Sequence, residues 1–69
     1  MDRTEAAKVE NYLRRKFANA GIRVVVRPTK DDSAEVLLHD EFIGVLFRDE
    51  EDGELSFDFH MTVLEIDLE

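Results

Sequence analysis

The chain contains no cysteine, which excludes disulfides and thiolate metal sites and removes any need for an oxidising compartment. Long apolar runs are missing too. The uncharged stretches are a handful of residues, such as FIGVLF, far short of the roughly 20 needed to span a bilayer. The opening MDRTEAAKVENY lacks the apolar run of a signal peptide. These absences lead to the expectation of a soluble, cytoplasmic protein. Only three glycines occur, widely scattered, so no glycine-rich loop is available to cradle a nucleotide. The hydroxyls of Thr4, Thr29, Ser33, Ser56 and Thr62 lie in no nucleophile-elbow pattern. So small a two-layer domain has no room for a deep pocket that would shift carboxylate pKa values. The expectation is a protein that is not an enzyme and holds no cofactor.

At 69 residues the chain makes one domain, residues 1–69, near the lower size limit. There a single core stabilises only marginally, and oligomerisation often helps. The net charge of −8 conceals a separation of signs. Residues 1–30 carry eight Lys/Arg and three Asp/Glu, a net +5, and residues 31–69 carry one Arg and fourteen acids, a net −13. Such asymmetry can mark a contact surface for an acidic partner, but two halves of opposite sign also neutralise each other on folding, and the overall acidity repels nucleic acid and anionic membranes.

Asp2 followed by Glu5 has the form of a capping box, and Ala6, Val9, Leu13 and Phe17 recur at helical spacing. This predicts a helix over about residues 3–19. Arg14, Arg15 and Lys16 then suit the negative end of its dipole, with Gly21 as the stop. After Gly21 the period changes to two: Ile22, Val24 and Val26 alternate up to Pro28. PTKDDS reads as a polar turn, SAEVLLH as a second strand, FIGVLFR as a third and ELSFDFHM as a fourth. A two-residue loop at Asp40-Glu41 and an acidic loop over 49–53 pair Val36 with Val45, Val45 with Phe57, and Arg48 with Glu54. Val45, Phe57 and Leu13 are then expected in the core. The architecture is α+β in two layers: an N-terminal helix packed on a four-stranded antiparallel β-meander. MTVLEIDLE adds a short C-terminal element, in which Leu64, Ile66 and Leu68 hold the phase opposite to Leu55, Phe57, Phe59 and Met61. A bulge, a bend or a helical turn near Thr62 and Val63 would each produce that shift.

The acidic run RDEEDGE invites a metal-site reading, but with Gly53 as the sixth residue of a calcium loop the ends fall on Arg48 and Phe59. Asp52-Gly53 is instead a strong turn signal. The expected register sets His39 and His60 on either side of Phe42, roughly 10 Å apart across two strand spacings, too wide for joint coordination. No metal site is expected. A basic-helix nucleic-acid binder would rely on Arg3, Lys8, Arg14, Arg15, Lys16, Arg23 and Arg27, because Phe57 and Phe59 read as core and not as a base-stacking platform. The stronger candidate is an interaction face on the side of the sheet away from the helix: Val25, Leu37, Phe42 and Leu46, joined by Leu64, Ile66 and Leu68 from the tail, with Gly44 leaving a gap near the middle. That face suits a homodimer or an unknown protein partner.

The run from RPTKDDSAEV through DEFIGVLFRDEEDGELSF, with NYLRRKF before it and LEIDL after it, resembles domain of unknown function 3126, a family of short alphaproteobacterial proteins. RDEEDGE is its most distinctive part. The resemblance covers nearly the whole chain and implies a small cytoplasmic bacterial protein. It carries no catalytic or binding residue across.

Overall fold

In the computed structural model, which describes residues 1–28 and 32–69, the helix begins as its capping box dictates. The Asp2 side chain accepts from the Glu5 N–H at 2.7 Å, and Glu5 accepts the Asp2 N–H at 3.3 Å. Helix α1 runs Arg3–Lys16 and buries Ala6, Val9 and Leu13. It ends earlier than the sequence suggests, leaving Phe17 57% exposed and outside the core. Ala18 takes the left-handed position (φ 51°), and the Ala18 and Asn19 N–H groups return to the carbonyls of Arg15 and Arg14. A Schellman turn thus forms with alanine where glycine is usual. Gly21 lies against the exposed His39 ring, which a Cβ there would have to displace.

Strands β1 (Ile22–Val26), β2 (Ser33–Leu38), β3 (Glu41–Glu51) and β4 (Glu54–His60) form one antiparallel sheet in the order β1-β2-β3-β4. The meander is as expected. The PTKDDS turn lies partly outside the described residues. The β2–β3 and β3–β4 hairpins each close through two residues of positive φ, His39 and Asp40 at 50° and 66°, and Asp52 and Gly53 at 52° and 79°. These are the signs a type I′ turn requires.

The first of these turns and a bulge beside it correct the expected register. Because His39-Asp40 forms the loop and not Asp40-Glu41, Leu38 lies opposite Glu41 and Leu37 opposite Phe42, a shift of two residues that keeps each side chain on its face. The bulge between Val36 and Leu37 adds a shift of one, which sets Val36 opposite Gly44 and Ala34 opposite Leu46 and exchanges the faces of β3 from Gly44 onward. Leu46, placed by sequence on the far face, is 1% exposed in the core. Val45, placed by sequence in the core, is half-buried on the far face, opposite Glu35. The extra residue of the bulge is Ile43, which packs against the core.

The acidic run is also more ordered than a loop over 49–53 would be. Asp49–Glu51 belong to β3, and only Asp52-Gly53 turns the chain. Arg48 therefore lies opposite Phe57 and not Glu54, and Leu46 lies opposite Phe59. Gly44 leaves no gap, because a Cβ there would meet the His60 carbonyl and the Phe59 ring. After β4 the chain leaves the sheet and ends in a 3-10 helix, Glu65–Leu68. Val9, Leu13, Ile22, Ala34, Val36 and Leu46 form the core, with Val24, Leu38, Phe57 and Phe59 packed against it.

Candidate functional site

On the face away from α1, cross-strand pairing builds three rows: Arg23-Leu37-Phe42, Val25-Glu35-Val45-His60 and Ser33-Phe47-Asp58. Val25, Leu37 and Phe42 stand where the sequence put them. Val45 and Phe47 replace Leu46. Phe42 and Phe47 are 54% and 41% exposed, and the Phe47 ring meets His60 edge-on at 5.0 Å. The tail reaches this face only in part: Thr62, Val63 and Leu64 join Phe42, Val45 and Phe47 around a shallow concavity of about 780 Å³. Ile66 and Leu68 stay in solvent, 72% and 75% exposed. His39 sits in the β2–β3 turn and does not flank Phe42 as expected.

Charge on the sheet is largely matched. Arg23 lies 3.0 Å from Asp40 and Arg27 lies 3.7 Å from Glu35. Arg14 meets Glu10 at 3.6 Å and also donates to the Ile22 carbonyl. Arg48 donates to Glu5 at 2.8 Å. That bond holds the Glu5 carboxyl below its ordinary range and raises the Arg48 guanidinium further. Among the described residues no group of three His, Asp or Glu side chains is placed to hold a metal ion. No helix among them is long and apolar enough to cross a membrane.

Sequence reasoning missed the other open surface, although strand spacing signals it. Four strands about 4.8 Å apart span about 14 Å, whereas one helix is about 10 Å across. The helix α1 lies along β1, where Glu10 Oε1 accepts the Val24 N–H at 2.9 Å and Arg14 Nε donates to the Ile22 carbonyl at 2.7 Å. The core-facing side of β4 is left half covered. One concavity of about 320 Å³ runs between Tyr12 and Leu13 of the helix and Phe57 and Phe59. A second, of about 290 Å³, continues past Leu13 and Phe59 to Phe17 and Met61. Tyr12 and Leu55 are about half exposed.

The two sheet edges differ accordingly. Glu10 and Arg14 occupy outward backbone groups of β1. On the other side, β4 has β3 as its one neighbour among the described strands. The Arg48 N–H donates to the Asp32 carbonyl at 2.8 Å, so the backbone groups of Arg48 and, by alternation, Leu46 turn toward β2. Those of Val45, Phe47 and Asp49 turn toward β4. Their partners His60, Asp58 and Ser56 are thus bonded inward. The N–H and C=O groups of Leu55, Phe57 and Phe59 face outward.

Comparison with known proteins gives one result. The family described as Protein of unknown function (DUF3126) matches residues 5–67, and the chain belongs to that family. Neither the curated proteins nor the solved structures yield a match.

Proposed function

We propose that this member of the DUF3126 family is a non-enzymatic protein-interaction module that works as a homodimer. The observation that carries this reading is the half-covered sheet: Leu55, Phe57 and Phe59 face the core side of β4, yet α1 lies along β1 and leaves them beside an open groove. A domain of this size buries only about 60% of its unfolded surface and gains from covering such residues, each Å² being worth roughly 25 cal/mol. The far face, with Phe42 and Phe47 exposed beside Val25, Leu37 and Leu64, offers a second surface for a protein partner. Pairing of Arg14, Arg23 and Arg27 with acids weakens the case for a nucleic-acid surface.

Light scattering over a concentration series tests the reading. A dimer is expected at micromolar concentration. A chain that stays monomeric at high micromolar concentration overturns the homodimer. Nucleic acid retained at low salt and released steeply as salt rises would transfer the reading to a basic-helix binder.

A further inference from the structure

We infer that two copies pair along β4, antiparallel and centred on Phe57, to make one continuous eight-stranded sheet. The inference rests on the homodimer reading and adds the surface and the register. Three observations lead to it. First, β4 is the uncovered edge, whereas Glu10 and Arg14 occupy backbone groups on the outer edge of β1. Second, the outward backbone groups belong to Leu55, Phe57 and Phe59, the residues whose side chains line or flank the half-open groove. A second β4 thus satisfies the edge and places its own Leu55, Phe57 and Phe59 beside the first set.

Third, the charges select one register. A two-fold pairing must set outward-facing residues against outward-facing residues, so only alternate registers are open. Centring on Phe57 uses all of Glu54–His60 and sets Glu54 opposite the partner's His60, Leu55 opposite the partner's Phe59 and Ser56 opposite the partner's Asp58. Centring on Ser56 sets Glu54 against the partner's Asp58. Centring on Asp58 sets that carboxylate against its own copy. Like charges directly opposed destabilise a pair of strands. The remaining registers shorten the ladder to three residues or fewer.

Substituted cysteines test the register, since the natural chain has none. Ser56 and the partner's Asp58 form a non-hydrogen-bonded pair, with Cα atoms about 4.5 Å apart, within disulfide range. Ser56 and its own copy are diagonal neighbours at about 7 to 8 Å. Equal amounts of Ser56→Cys and Asp58→Cys, mixed and oxidised gently, are expected to give the mixed disulfide well above its statistical share. Leu55→Pro removes an outward N–H that has no partner among the described residues and is expected to give a folded monomer, whereas Leu55→Ala keeps the N–H and stays dimeric. A dimer that gives only the statistical share of mixed disulfide, or that persists in Leu55→Pro, overturns β4 pairing while the homodimer stands. A monomeric wild type overturns both.

Discussion

Arg48 Nε lies 2.8 Å from Glu5 Oε2, tying the middle of β3 to the first turn of a helix 43 residues away in sequence. The same carboxylate closes the capping box with Asp2, so one side chain starts the helix and anchors it to the sheet. Its folded-state pKa is depressed, chiefly by the Arg48 hydrogen bond. The contribution is therefore present at neutral pH and is lost as pH falls through the depressed value. Melting curves of wild type and Glu5→Gln should differ at neutral pH and converge in acid below the carboxylate range. A gap that does not change with pH would show that Glu5 acts through shape alone.

The register itself can be checked by two neighbouring truncations. Leu46→Ala should cost about 2 to 5 kcal/mol, as for a fully buried leucine, and Val45→Ala, on the half-exposed face, much less. Chemical denaturation decides it. The reverse order would restore the register in which Val45 faces the helix.

Backbone conformation sets up a contrast between two other sites. Ala18 holds a left-handed conformation at φ 51°, so Ala18→Gly should stabilise by on the order of 1 kcal/mol, or a few degrees in Tm. At Gly44 a methyl group has nowhere to go, since it meets the His60 backbone. Gly44→Ala should cost about 1 to 3 kcal/mol, as overpacking does.

Pleat alternation turns Glu50 to one face of β3 and Asp49 and Glu51 to the other, and Glu50 lies 3.7 Å from Arg48. Convergent carboxylates are what a calcium site needs. Millimolar calcium, magnesium or zinc should leave the Tm unchanged. A saturable rise on the order of several degrees would reveal binding to the native state.

How much of this was legible in the residues follows from what each signal can specify. Asp2 and Glu5 identify the helix start because the cap is local chemistry, and the change from helical to two-residue period at Gly21 identifies the switch to strand. Alternation alone could not say which phase of β3 faces the helix, because FIGVLF is apolar in both phases. That choice fell to the bulge between Val36 and Leu37, where Ile43 is left without a cross-strand partner and the phase of β3 inverts. His39 in the left-handed region at φ 50° is an uncommon event, but moving the loop by one residue shifts the pairing by two and keeps each face. The bulge sent Leu46 inward and Val45 outward.

From the sequence by itself came the element order, the antiparallel meander and the Asp52-Gly53 turn, all of which depend on neighbours along the chain. Tertiary structure alone decided the register, the pairing of Arg48 with Glu5 and the open edge at β4. These depend on distances between segments far apart in sequence, and a helix about 10 Å wide cannot cover a sheet about 14 Å across.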